Sequence, residues 1–239
     1  MQRIPKLQVA LGLIVLLFIT AGIPGPVKAA EPVTIRAGLP SEAEVALTFD
    51  DGPSPLYTPQ ILDLLAKYQA HATFFVLGRK VEQYPGLIKE MLRRGHEVGN
   101  HSFSHPYLTK TAQLDREREL ETTSLDLELL GCPCKHMLIR PPYSAFDDRL
   151  VSYAEHTGRQ LVLWSIDSGD WRGLDAGAIV QNVLPRVRNG SIIVMHESDE
   201  KDRADRRPTV EALKTILPVL RYRGYKLVTV DAVMTENHH

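Results

Sequence analysis

The chain has 239 residues, 28 Lys and Arg against 29 Asp and Glu, a formal net charge of −1 and 44% hydrophobic residues. That length suits one domain of ordinary or large size, and the lack of a basic excess or basic block excludes nucleic acid as a partner. The two cysteines, in Gly131-Cys132-Pro133-Cys134, are too close for an unstrained disulfide and too few for a thiolate metal site.

Arg3 and Lys6 form a short basic start, residues 9–21 are uncharged and almost wholly apolar, and Val27-Lys28-Ala29 ends the segment. This is the pattern of a secretory signal peptide, residues 1–29, cleaved after Ala29. An uncleaved membrane anchor is the alternative. The apolar run falls short of the ~20 residues a spanning helix needs, and Pro24 and Pro26 follow it. Cleavage removes Arg3, Lys6 and Lys28 and no acid, leaving 25 basic and 29 acidic residues, a charge of −4. The expectation is an exported, weakly acidic monomer, secreted or held in the cell envelope, with no stable membrane span once the signal is cleaved.

Residues 30–43 read as a linker and 44–239 as one domain. Residues 45–49 predict a strand, followed by a helix that Thr58 caps and Pro59 opens. Strand 72–77 and a helix over 85–94 come next, and Gly95 ends that helix. A short extended segment, 97–99, leads into a histidine cluster. Residues 111–130 predict a long charged helix, with Leu114, Leu120, Leu125 and Leu129 available for one face. Strand 136–139, helix 147–156, strand 161–166 and helix 176–188 follow. The apolar run 192–195 has the character of a strand in a buried parallel sheet. Helix 208–223 and strand 226–230 complete the domain. This alternation implies an α/β fold, a distorted (β/α) barrel of about seven parallel strands with outer helices. Chemistry in such barrels sits at the C-terminal strand ends, where Asp50, Asp51, His101, Arg140, Asp170 and His196 all fall.

Two polar clusters carry the strongest chemical signal: Thr48-Phe49-Asp50-Asp51-Gly52-Pro53 and Asn100-His101-Ser102-Phe103-Ser104-His105-Pro106. One carboxylate and two imidazoles hold a divalent metal with a position open to water, and the second carboxylate is left to act as general base. Adjacent strand residues point to opposite faces, so Asp50 and Asp51 converge only if the strand ends here, as Gly52-Pro53 suggests. His101 and His105 share a face if the segment makes a single tight turn. In Arg140-Pro141-Pro142-Tyr143 neither proline has an N–H. The first donor after Arg140 is therefore the Tyr143 amide, held in a stiff frame suited to an oxyanion.

With Asp170-Trp171 and Ile193-Val194-Met195-His196, these make five motifs in order, and the chain resembles the polysaccharide deacetylase family (the NodB homology domain, carbohydrate esterase family 4) over residues 45–232. The resemblance implies a hydrolase that removes N- or O-acetyl groups from cell-wall and extracellular polysaccharides. It implies Asp51, His101 and His105 as ligands of a divalent metal, zinc first, with Co2+, Ni2+ or Mn2+ also suited to that donor set. It makes Asp50 the general base, paired with Arg140, and the Tyr143 amide an oxyanion donor. His196 becomes the acid that protonates the leaving amine, oriented by Asp170, with Asp167 a competing candidate. Pro142, Tyr143, Trp171 and Val194 would line the acetyl pocket. Ser144 stands where the family often has Gly, and Glu197 where it often has Asp.

The expected reaction is removal of N-acetyl groups from N-acetylglucosamine in a peptidoglycan- or chitin-like polysaccharide or oligosaccharide, releasing acetate, with a bell-shaped pH dependence. The alternatives are an O-acetyl esterase on xylan, a small-molecule amidase, and a non-catalytic glycan-binding envelope protein. The charged stretch from Asp199 to Arg207 reads as a solvated loop that also has room to contact a sugar chain, and His71, His96, His136 and His156 carry no chemical assignment.

Overall fold

The computed structural model describes residues 33–133 and 137–235. The signal segment, Cys134, His136, His238 and His239 lie outside the described residues. Strands alternate with helices: β1 (Thr34–Ile35), β2 (Glu44–Gly52), β3 (Thr73–Val76), β4 (Glu97–Asn100), β5 (Leu138–Ile139), β6 (Gln160–Val162), β7 (Ile166–Asp167), β8 (Ser191–His196) and β9 (Lys226–Val228). The helices are α1 (Thr58–Lys67), α2 (Gly78–Gln83), α3 (Pro85–Arg93), α4 (Gln113–Leu129), α5 (Asp148–Thr157), α6 (Ala176–Val183), α7 (Arg207–Tyr222) and α8 (Val230–Met234).

All the ladders between named strands are parallel, in the order β1-β6-β5-β4-β3-β2-β8-β7. β9 pairs with the first residues of β2, from Glu44 to Ala46, while β3 takes that strand from Thr48 onward. This is the expected distorted barrel, with its ladder open between β1 and β7 among the described residues.

Strand periodicity separates two cores. Val45, Leu47, Phe49, Phe74, Val76, Ile193 and Met195 face the outer helices, joining Ile61, Leu65, Leu213 and Leu217. The alternate residues Ala46, Phe75, Val162 and Ile192 face inward, with Val230 and Val233 of α8 packed among them. Each fully buried side chain of this kind contributes about 1.5–3 kcal/mol. The same alternation sends Thr48 and Asp50 of β2, and Val194 and His196 of β8, inward at the strand ends. Thr48 pairs in register with Val194, and Asp50 with His196.

Several sequence expectations change. The segment read as linker contributes β1, an edge strand on β6 with Ile35 buried in the inner core. Residues 161–166 form two short strands rather than one, α6 stops at Val183, and α2 and α8 are additional helices. Thr58 does not cap α1: the cap position is Tyr57, and the Thr58 hydroxyl accepts from Ser54 N and donates to Glu197. The buried face of α4 is Arg116, Leu120, Thr123, Ser124 and Leu127, whereas Leu114, Leu125 and Leu129 are exposed. At ~100° per residue those three leucines form a stripe roughly opposite Leu120 and Leu127. Asp147 caps α5 by accepting from Leu150 N, and Gly158 ends it with φ +66°.

Candidate active site

Asp50 and Asp51 both reach the barrel mouth because β2 bulges. The register against β3 slips between Asp50 and Gly52, and Asp51 has φ +67°. The extra residue turns Asp51 off the outer face that strand alternation would give it. Gly52 is required there, since a Cβ would lie 1.6 Å from Glu197 Oε1. Glu197 is fully buried, and burial pushes its carboxyl up to about 8 against the opposing effects of Thr58 and Lys80.

The histidine segment is not a helical turn. Ser102 and His105 both have positive φ, and side chains hold the loop. Asn100 Oδ1 accepts from Ser102 N, and Ser102 Oγ accepts from His105 N. Glu119 of α4 accepts from Phe103 N, Ser104 N and Ser104 Oγ. The result brings the two imidazoles to 5.0 Å between ring centres. Asp51 Oδ1 lies 3.5 Å from His101 Nε2 and 3.3 Å from His105 Nε2.

His101 Nδ1 donates to the Arg140 carbonyl at 2.6 Å, which leaves the Nε2 lone pair toward Asp51. Asp51 Oδ1 is buried without a hydrogen-bond partner. Burial pushes Asp51 up to about 7 and both histidines down to about 3. Neutral imidazoles and a carboxylate oxygen lacking a donor, with donor atoms within 4.8 Å of one another, suit a divalent cation.

Arg140 follows β5 and is fully buried. Its Nη1 donates to Asp50 Oδ1 at 2.7 Å and Thr48 Oγ1 at 2.6 Å, while Nε and Nη2 bind the carbonyls of Val162 and Leu163. The guanidinium lies 4.1 Å from the Phe75 ring centre. Burial lowers the Arg140 pKa and Asp50 opposes it, and all three guanidinium nitrogens are hydrogen-bonded.

Across the mouth, His196 Nδ1 and Asp170 Oδ1 are 2.8 Å apart, and His196 N donates to Asp170 Oδ2 at 2.8 Å. Thr209 of α7 and Arg206 fasten Asp170 further. Burial alone would lower His196, but the Asp170 charge and hydrogen bond outweigh it and raise the imidazole to about 9. Asp167 instead accepts from Gly169 N and Trp171 Nε1, so the competing aspartate orients a loop rather than His196.

Asp50, Asp51, His101, His105, Asp167 and His196 line one cavity of about 550 Å³, together with Tyr107, Pro141, Tyr143, Ser144, Trp171 and Val194, while Arg140 and Asp170 are buried outside that lining. Trp171 and Tyr143 are exposed in it and Val194 is buried. Pro142 is buried and is not among the residues lining the cavity. Part of the charged stretch after His196 is not solvated. Asp199 and Glu200 line the cavity, and Arg206 is buried. Lys80, buried on α2, donates to Ser198 Oγ and the Asp199 carbonyl and pairs with Asp202. Sequence reasoning gave no individual role to Thr48, Glu119, Thr209, Arg206, Lys80 or Tyr107. Only Thr48 carried a local signal, two residues from Asp50 on the same strand face.

A family model described as polysaccharide deacetylase matches residues 38–162. The chain belongs to the polysaccharide deacetylase family. As a polysaccharide deacetylase it is a hydrolase, and the family's metal dependence finds a fitting Asp/His/His donor set here. The chain is 39% identical over 202 residues to a peptidoglycan-N-acetylglucosamine deacetylase of Bacillus cereus, covering 83% of this chain and 91% of that one. It is 40% identical over 197 residues to a chitooligosaccharide deacetylase of Sinorhizobium fredii, covering 79% and 89%. The crystal structure of the Bc1960 peptidoglycan N-acetylglucosamine deacetylase superposes with a TM-score of 0.80 at 34% identity, covering 85% of this chain and 93% of that one. Among the described residues, no helix is long and apolar enough to cross a membrane.

Proposed function

We propose that this polysaccharide deacetylase removes N-acetyl groups from N-acetylglucosamine units of a cell-wall or chitin-like polysaccharide, outside the cell membrane. The observation that carries this reading is a single cavity lined by the Asp51–His101–His105 set, Asp50 and His196, with Arg140 bonded to Asp50 and Asp170 to His196. Asp51, His101 and His105 would hold the divalent metal, zinc first, which when bound supplies Lewis-acid polarisation of the acetyl carbonyl and lowers the pKa of a water.

The remaining steps belong to the protein's own side chains. Asp50, kept in place by Arg140, takes a proton from the attacking water. The Tyr143 amide donates to the acetyl oxygen as negative charge gathers on it. His196, protonated and aimed by Asp170, gives its proton to the sugar nitrogen as the carbon–nitrogen bond breaks. One water is consumed, and acetate and a free sugar amine leave. Trp171 and Val194 form walls around the acetyl group.

The test is acetate release from N-acetylglucosamine oligomers by residues 30–239 after chelation and zinc add-back. Zinc-restored release supports the reading. A folded, zinc-loaded protein that binds the oligomer and releases no acetate supports the glycan-binding alternative instead.

A further inference from the structure

Tyr143 and Ser144 have φ of +59° and +56°. Two consecutive left-handed residues, neither of them glycine, are unfavourable for an L-amino-acid chain and persist only where their surroundings hold them. Part of the hold is local: Ser144 N donates to the Pro141 carbonyl and Ala145 N to the Pro142 carbonyl, each at 3.1 Å. The rest comes from a column of rings. The Tyr143 ring stacks on Tyr107 at 3.9 Å between centres and 13° between planes. It meets the His105 ring edge-on at 4.5 Å, and its hydroxyl donates to the His105 carbonyl at 3.4 Å.

Tyr107 is itself well founded. Its carbonyl accepts from Lys110 N at 2.8 Å and from Thr111 Oγ1 at 2.9 Å. The next residue, Leu108, is fully buried, and the Lys110 ammonium lies over the Tyr107 ring at 4.4 Å. A firmly seated ring therefore presses on a side chain whose own backbone is strained.

We propose that Tyr107 is a positioning residue: its stack on Tyr143 holds the left-handed Tyr143–Ser144 backbone, and through it keeps the Tyr143 N–H aimed at the acetyl oxygen. This rests on the deacetylase reading above. The competing use of an exposed ring at a cavity mouth is as a platform for a sugar. The two differ in kinetics, since a platform contributes equally to bound substrate and transition state and moves KM, whereas an aimed donor acts on the transition state and moves kcat.

The experiment compares zinc-loaded wild type, Tyr107→Phe and Tyr107→Ala in steady-state acetate release from N-acetylglucosamine oligomers and in amide hydrogen exchange of a peptide spanning 140–146. Pro141 and Pro142 contribute no amide, so that peptide reports mainly Tyr143 to Phe146. Tyr107→Phe, which keeps the stack, stays within about twofold of wild type in kcat. Tyr107→Ala loses about tenfold in kcat, the order of one aromatic pair, with KM within about twofold, and the peptide exchanges faster. A raised KM with unchanged kcat assigns Tyr107 to substrate binding and overturns the proposal, and so does unchanged exchange. A wild type that releases no acetate refutes the deacetylase reading instead, while the exchange comparison still decides whether Tyr107 holds the loop.

Discussion

Asp170→Asn isolates the charge pair behind His196. In the metal-free protein burial opposes the charged imidazole, and Asp170, followed by Asp50 and Asp51, lifts it to about 9. Against an ordinary histidine value of about 6.5, the gap at ~1.4 kcal/mol per pH unit amounts to about 3 kcal/mol. The His196 side chain is only 16% exposed, so solvent screening takes little from this. A folded-state value above the unfolded one means that this stabilisation is fully present below about pH 6.5. It is then lost as pH rises through about 9. Asp51, Glu97 and Glu197, pushed up to about 7, about 7 and about 8, lose stabilisation over part of the same range, so a single curve mixes them with His196. The difference between wild type and Asp170→Asn removes most of that common part. Urea unfolding of both chelated proteins at pH 6 and pH 10 should show the wild type losing about 2–3 kcal/mol more than the variant. Equal losses would refute the assignment of Asp170 as the source of the raised His196.

Asp51→Ala should abolish acetate release and weaken zinc binding by more than the ~10–100-fold typical of losing an outer partner, measured by chelator competition. Arg140→Met leaves the Asp50 carboxylate buried without its cation. A cost of about 3–5 kcal/mol is expected in chemical denaturation, and a loss under about 1 kcal/mol would contradict the buried-pair description. Gly52→Ala drives a methyl group into Glu197 and should cost about 1–3 kcal/mol, with Glu197→Ala in the same chain recovering part of the lost Tm. No recovery would mean that the Gly52 backbone, rather than the collision, sets the cost.

Much of the site is legible in the sequence. Asp50, His101, Arg140 and His196 stand at or just after strand ends, and apolar alternation marks those strands locally. Side-chain chemistry marks one carboxylate and two imidazoles as able to hold a metal with a second carboxylate to spare; the division of roles between Asp50 and Asp51 is what the family resemblance implies. The convergence of Asp50 and Asp51 is legible only as a requirement: Gly52 hints at it, and the bulge at Asp51 supplies it. Motif resemblance favours Asp170 over Asp167, but the physical reason is not legible, because three residues of chain do not say which carboxylate turns toward β8. The partners that make the choice, Arg206 and Thr209, are far along the sequence.

The sequence by itself marked which residues have the chemistry and most of the strand–helix alternation, because those depend on residue type and on periods of two and about 3.6, and its five ordered motifs carried the resemblance to the family. Tertiary structure decided what depends on contacts between distant segments. It turned the three exposed leucines of α4 outward while Arg116, Leu120 and Leu127 packed, and it drew the apparent linker into the sheet as β1. It set Glu119 under the histidine loop and Tyr107 against Tyr143. None of these has a local signature, since a side chain's partner across the barrel is set by how neighbouring elements pack and not by its neighbours in the chain.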